Sequence, residues 1–381
     1  MSKCLILKRT AGMLSGAFLL ASLWMVGADL KQTVIVEPAD AQVIDITPKF
    51  QRPFLDGKKK KPENPRPKDW PKDNHGRPEH SFPEKIAVRW ESAGDNAAYT
   101  LLLSESPDLK NAKRIDCGAK CEAAIDNLKL GTDYYLQVEA ALDGAKSVSP
   151  VRKFRTLDRP PRWIRVPGTS NVRDCGGWRT TTGKRVRQGM IYRGAQLNSG
   201  GKAGKAYQIK PEGIEVMKEL GIRSDCDLRQ TVLFEKLGTP LSVFGAKGLN
   251  FPIASYSNFL KSTSPKYADC FRAFLKEENY PIFVHCMGGA DRTGTLIMLL
   301  LGALGVNDND MLIEYQLTSF STVGVRIVDR PVFADYLKAL DAFAPGKSLA
   351  EKAEAYWLAR GIKPEEIAKF REIMLEPAEK K

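Results

Sequence analysis

Histidine is scarce in this sequence: His75, His80 and His285 are the three present. That argues against a metal centre built on several imidazoles, and it leaves His285 as the one histidine inside a chemically organised stretch. The seven cysteines show no zinc-type Cys/His spacing, so no metal and no other cofactor is expected. No ribonucleoprotein-type aromatic motif is present either, and nucleic acid is not expected as a partner. Beyond the first 28 residues no run is long and apolar enough to read as a membrane span. Acidic residues are in deficit, 45 against 58 Lys and Arg, for a formal charge of +13. Such a balance favours acidic partners such as phosphorylated proteins, small phosphate esters or envelope polymers.

Residues 1–28 read as a signal peptide. Lys3, Lys8 and Arg9 precede an apolar core at 11–26, and Val26-Gly27-Ala28 offers small residues for cleavage. An uncleaved membrane anchor is the alternative. Either way the rest of the chain is expected to be exported, as a periplasmic, cell-surface or secreted protein. Residues 29–50 alternate weakly, as an edge strand or an extended leader. Residues 51–83 carry prolines at 53, 62, 65, 67, 71, 78 and 83 and the run Lys58, Lys59, Lys60, Lys61. That composition predicts a solvated linker, with a polyanion or envelope contact through the lysines as the sharper reading.

From residue 84 the pattern changes. Alternating runs at 85–90, 98–103, 123–128, 134–140 and 153–156 are separated by Gly, Asp and Asn, which predicts a small all-β sandwich over 84–157. Trp90 and Tyr134 are expected in its core. Cys117 and Cys121 are candidates for a small disulfide loop in an exported protein. The stretch resembles a fibronectin type III domain through Trp90, through Leu128 with Gly131-Thr132-Asp133-Tyr134-Tyr135, and through Phe154-Arg155-Thr156.

The chemistry concentrates in His285-Cys286-Met287-Gly288-Gly289-Ala290-Asp291-Arg292-Thr293-Gly294. A short apolar run at 280–284 precedes it as a buried strand, and a longer one at 296–304 follows as a buried helix. A tight loop ahead of a helix N-terminus aims backbone N–H groups at one point and forms an anion site. A cysteine at that site is expected to be largely thiolate. Arg292 has the planar fork that grips two phosphate oxygens. Met287, Gly288, Gly289, Ala290, Asp291 and Arg292 are therefore candidate phosphate-binding residues, and Cys286 is a candidate nucleophile on phosphorus.

Around this loop, residues 160–376 alternate strands and helices. This predicts an α/β domain with a mainly parallel central sheet flanked by helices, its ligand site beyond the strand ends. Four separated motifs then agree in order: Asn171-Val172-Arg173-Asp174 with Gly176-Gly177; Tyr192-Arg193-Gly194-Ala195-Gln196-Leu197; Asp227-Leu228-Arg229; and the Cys286 loop. As a set they resemble the bacterial tyrosine-phosphatase family, which includes dual-specificity and phosphoinositide-active members.

The resemblance implies roles. Cys286 is the nucleophile and Arg292 steadies the phosphoryl oxygens. His285 orients the loop, and Thr293 donates its hydroxyl to the thiolate. Asp291 is the expected general acid, with Asp227 next and Asp174 third; Asp227 and Arg229 have a buried bracing ion pair as the alternative. Two departures stand out. Ala290 occupies a position where lipid-active members often carry Lys, and Cys175 stands where Leu is common. Pairing among Cys175, Cys226, Cys270 and Cys286 is left open. An anion-binding envelope protein without turnover is the competing reading, and an intact Cys286, Asp291 and Arg292 argue against it. Sulfur transfer or arsenate reduction would need partner cysteines that the pattern lacks.

Overall fold

The computed structural model describes residues 30–69, 76–199 and 207–377. The expected signal peptide and His75 lie outside the described residues. Among the described residues no helix is long and apolar enough to cross a membrane.

The alternating stretches form strands because every second side chain enters one shared core. One sheet runs β1 (Ile35–Glu37), β3 (Ile86–Trp90), β6 (Glu122–Ile125). The other runs β2 (Gln42–Ile44), β9 (Arg152–Thr156), β7 (Asp133–Leu142), β4 (Ala98–Ser104), β5 (Lys113–Gly118), with β8 (Ala145–Val148) on β7. Both sheets bury residues in the same cluster, including Trp90, Tyr99, Val138 and Phe154. The leader supplies two strands: β1 pairs antiparallel with β3, and β2 pairs parallel with β9.

The disulfide expectation is not met: Cys117 and Cys121 are free thiols. Cys117 lies on β5 and Cys121 just before β6, so the turn between them crosses from one sheet to the other. The Cys117 thiol donates instead to Ile115 O at 3.4 Å. Cys175, Cys226, Cys270 and Cys286 are also free.

The second module is built on the strand order β10 (Arg162–Trp163), β11 (Arg173–Asp174), β12 (Ile191–Gly194), β15 (Ile282–His285), β13 (Ser224–Asp227), β14 (Lys247–Asn250). The sheet is mixed, which corrects the mainly parallel expectation. β12, β15, β13 and β14 are mutually parallel, whereas β10–β11 and β11–β12 are antiparallel. The cause is connectivity. Residues 164–172 and 175–190 contain no helix, so the chain folds back on itself instead of crossing over. The parallel strands are joined through α2 (Pro211–Glu219), then α3 (Thr231–Leu237), then α4 (Tyr256–Lys261) with α5 (Lys266–Ala273). After β15 follow α6 (Asp291–Ala303), α7 (Asp308–Gln316), α8 (Pro331–Asp341), α9 (Leu349–Ala359) and α10 (Pro364–Met374). Helix α6 is buried from Thr293 to Ala303, so it forms the core of the helical layer. Helix α9 packs so close that a Cβ at Gly302 would lie 2.4 Å from the Ala353 Cβ.

The linker expectation for 51–83 also fails. Its described residues form a strap that leaves the β-module, crosses the second module and returns to β3. It opens with a short helix, α1 (Arg52–Leu55). Phe54 is buried in the main core of the second module. Gln51 accepts from Trp163 Nε1 at 2.8 Å and donates to His80 O at 2.6 Å. Three of the four lysines already face acids: Lys58 with Asp56, Lys59 with Glu63 and Lys61 with Asp329. Average composition misled here because the strap is fixed by single buried side chains and by backbone hydrogen bonds, not by an apolar face.

Candidate active site

The three central strands end level with one another. Gly194 of β12 and Asp227 of β13 both stand opposite His285 of β15. The loops leaving these ends therefore converge on the loop that follows His285, which runs into the N-terminus of α6.

That loop is shaped by what holds its outer side. Met287 O accepts from Gln196 N at 3.0 Å. Asn171 Nδ2 donates to Gly288 O at 3.0 Å and to Gly289 O at 3.2 Å. Arg193 Nη2 also donates to Gly289 O. In a trans peptide the N–H points opposite to the C=O. Anchoring these carbonyls outward therefore turns the N–H groups of Gly288, Gly289 and Ala290 toward the loop interior. Those N–H groups find no acceptor among the described residues, and together with the first turn of α6 they make an anion cradle. Glycine is required at 289: its φ is +61°, and a Cβ there would lie 2.0 Å from Gly194 O.

Arg193 is itself fixed by a buried ionic triad. Glu314 of α7 bonds Arg193 Nη1 at 2.8 and 3.1 Å and Arg173 Nε at 2.8 Å. Arg173 Nη1 then bonds Asn171 Oδ1 at 2.5 Å, which sets the amide so that its Nδ2 faces the loop. Burial and the nearby Arg193 push the Arg173 guanidinium down to about 10, still protonated at neutral pH.

Cys286 is buried inside the cradle. Burial opposes ionisation, but the Arg292 charge and the neighbouring Thr293 hydroxyl and N–H outweigh it and hold the thiol below its ordinary value. Arg292 is steadied by donating to Leu228 O at 3.1 Å. Beneath the cysteine, His285 Nδ1 lies 3.1 Å from Cys286 O, and Nε2 lies 3.0 Å from Asp225 Oδ1. Burial disfavours the imidazolium, yet Asp225 and Asp227 raise its pKa to about 9. At neutral pH His285 is thus a cation directly behind the nucleophile.

The three candidate carboxylates are placed differently. Asp291 is the first residue of α6 and close enough for its charge to oppose the Cys286 thiolate. Its oxygens accept from Arg326 Nε at 2.7 Å and Nη2 at 2.9 Å, and from the Tyr256 hydroxyl. Burial raises its pKa, but these bonds prevail and lower it. Tyr256 reaches this position from φ +54°, a conformation that bulky side chains seldom adopt. Asp227 is buried, with both oxygens on Arg229 at 2.7–2.9 Å. Arg229 in turn bonds Gln196 and Asn198. Asp227 thus braces two neighbouring loops through its pair with Arg229, the bracing arrangement expected as its alternative. Asp174 is buried against Arg162 at 2.8 Å, with Gly176 N and Gly189 N on its oxygens, and serves the sheet edge.

A family profile described as the tyrosine phosphatase family matches residues 164–376, more than half of the chain. The chain belongs to this family. A curated relative from Cupriavidus necator, named as a tyrosine-protein phosphatase, is 26% identical over 166 residues, which are 38% of this chain and 59% of that protein. The match thus spans less than two thirds of the relative's length. Two solved structures are also similar. The core catalytic domain of the PP-IP phosphatase SIW14 from S. cerevisiae, in complex with citrate, has 19% identity and a TM-score of 0.28, over 40% of this chain and 86% of that one. TpbA from P. aeruginosa, a Cys-to-Ser variant in complex with phosphotyrosine, has 16% identity and a TM-score of 0.30, over 52% of this chain and 100% of that one. At those scores the two likenesses carry no argument.

In this family member the structure brings together His285, Cys286, the 287–290 backbone, Asp291, Arg292 and Thr293, and leaves Asp227 outside the cradle. Sequence reasoning missed Asp225, Glu314, Tyr256 and Arg326. Asp225 was within reach: two residues before Asp227 on one strand, it must share that residue's face. Glu314 lies in a helix with no motif, and Arg326 in a segment with no periodicity. The assembled groups can bind a phosphoryl dianion, present sulfur to phosphorus and spread the developing charge over N–H groups and one guanidinium.

Proposed function

We propose that the chain is an exported phosphatase that hydrolyses phosphate monoesters, phosphotyrosine by default, through a cysteinyl-phosphate intermediate. The observation that carries this reading is the placement of Cys286 inside a loop whose Met287, Gly288 and Gly289 carbonyls are tied outward, with Arg292 at its side to favour the thiolate. In the first step Cys286 Sγ forms a bond to phosphorus, the P–O ester bond breaks, and the leaving alkoxide or phenoxide takes a proton from Asp291. In the second, water attacks phosphorus, gives its proton to Asp291, and the P–S bond breaks to restore the thiolate. Thr293 Oγ1, buried beside Cys286 without a hydrogen-bond partner among the described residues, is free to donate to sulfur as that leaving group.

A second reading keeps the mechanism and changes the ester to an inositol phosphate or phosphoinositide. Its support is that Arg326 and Arg330 both stand beside Asp291, two cations against one carboxylate. Ala290 counts against it, because no loop lysine faces the phosphate. An anion binder without turnover has no use for a thiolate.

The β-module is read as fibronectin type III-like. Supporting this, Tyr134 accepts from Lys129 N at 2.8 Å, a corner contact known in two-sheet sandwiches. Export rests on residues 1–28. N-terminal sequencing of the secreted or envelope fraction tests it: a mature protein starting near residue 29 supports cleavage, and an intact Met1 in the membrane fraction supports an anchor. Substrate class is tested by steady-state kinetics on phosphotyrosine peptides, inositol phosphates and phosphoinositides. A higher kcat/KM on the peptides supports the first reading, and the reverse order supports the second.

A further inference from the structure

We propose that the strap, in its described residues 49–69 and 76–83, is a positioning element of the active site. Through Asn64 and Glu79 it holds segment 319–329 against the phosphate loop and so sets the grip of Arg326 on Asp291. The second half of this proposal rests on the reading of Asp291 as proton donor.

Segment 319–329 touches the site at two points. Val323 packs on the loop so closely that a Cβ at Gly288 would lie 2.8 Å from its Cγ1. Arg326 bonds both oxygens of Asp291. Yet residues 321–330 carry no helix or strand, so no ladder of their own fixes them. Ser319 closes the segment on itself: its Oγ accepts from Arg326 N and donates to Arg326 O, each at 2.8 Å.

Outside the strap, the Tyr207 hydroxyl bonds Thr322 Oγ1 at 2.8 Å. Most of the other restraints come from the strap. Asn64 Nδ2 donates to Ser319 O at 2.9 Å and to Pro78 O at 3.0 Å, tying the segment to both limbs of the strap. His80 N donates to Phe320 O at 2.8 Å, and Arg77 N to Thr322 O at 3.1 Å. Lys61 pairs with Asp329. Glu79 sits at the junction. Its half-buried carboxyl bonds Ser81 and Ser170, and Ser170 Oγ accepts from Thr322 N at 3.3 Å. The next residue is Asn171, which anchors Gly288 and Gly289. The strap is seated by Phe54 and Phe50, which pack on Phe320 at 5.8 and 6.2 Å, and its two limbs are joined by His80 stacked on Phe50 at 3.8 Å. None of these strap residues belongs to the cradle, so the strap acts through other groups.

The test uses the full chain with Asn64→Ala and, separately, Glu79→Gln. Lys61→Ala serves as a surface variant should either fail to fold. Hydrogen exchange is read on peptides covering 317–330 and on α6. The pH dependence of kcat is read with phenyl phosphate, whose leaving group needs a proton. The expected result is about tenfold faster exchange in 317–330 with α6 unchanged, together with a descending pH limb displaced to higher pH. Unchanged exchange in 317–330 overturns the proposal. Faster exchange with an unmoved pH limb overturns its second half and leaves the strap a brace only. Asp291→Asn separates the two readings: a descending limb that persists in that variant defeats the proton-donor assignment, while exchange still decides whether the strap holds the segment.

Discussion

Arg326 holds Asp291 end-on through both carboxylate oxygens, Nε to Oδ1 at 2.7 Å and Nη2 to Oδ2 at 2.9 Å. A proton donor must carry its proton at the working pH, and this contact favours the ionised form. Hydrolysis of esters with poor leaving groups is therefore expected to be fastest in acid and to decline as Asp291 ionises. Arg326→Met removes the largest favourable contribution to the charged form, so the descending limb moves to higher pH. The check is a kcat–pH profile on phenyl phosphate, with p-nitrophenyl phosphate as the control that needs little protonation. An unmoved limb would contradict the assignment.

His285 links pH to stability. Its folded-state pKa, about 9, lies above the unfolded value of 6.5. The stabilisation is thus fully present below pH 6.5 and lost as pH rises through 9. A shift of that size corresponds to about 3 kcal/mol. Cys286 acts in the opposite sense, because its folded pKa is depressed and its contribution grows as pH rises. The measurement is therefore made in Cys286→Ser. Urea midpoints should fall between pH 6.5 and 9, and Asp225→Asn should flatten that fall.

Glu314 neutralises two buried guanidinium groups, and removing its charge strands both. Glu314→Gln is expected to cost about 3–5 kcal/mol of stability. Because Arg193 and Arg173 both hold the loop or its prop, oxyanion affinity should also fall. Urea denaturation together with vanadate titration of the folded fraction checks both effects.

Arg292 is the leading favourable influence on the Cys286 thiolate. The pH dependence of iodoacetamide alkylation should show an inflection below that of an ordinary thiol. In Arg292→Ala that inflection should move to higher pH, and mass spectrometry of the Cys286 peptide reads it directly.

The cradle was legible because its parts are contiguous: Cys286, two glycines, Arg292 and the helix-starting Thr293 lie within one turn of chain. The loops around it were legible as motifs, Asn171 and Arg193 among them, but not as contacts. Which carbonyl each side chain anchors depends on strand register, and β10 and β11 are two residues long, too short for any periodicity to reveal their direction. Glu314 and Arg326 reach the site from more than 20 residues downstream in chain order, through tertiary packing that no local pattern encodes. The strap was the largest misreading. Proline and lysine content describes what a segment exposes, whereas Gln51, Phe54 and Asn64 are what this one buries.

The most direct test of the central claim is phosphate release from p-nitrophenyl phosphate by the reduced full chain in EDTA, beside Cys286→Ser. The account predicts turnover that survives chelation and vanishes in the variant, with the wild type trapping phosphate on Cys286 during acid quench. Turnover that persists in Cys286→Ser, or that EDTA abolishes, would contradict it.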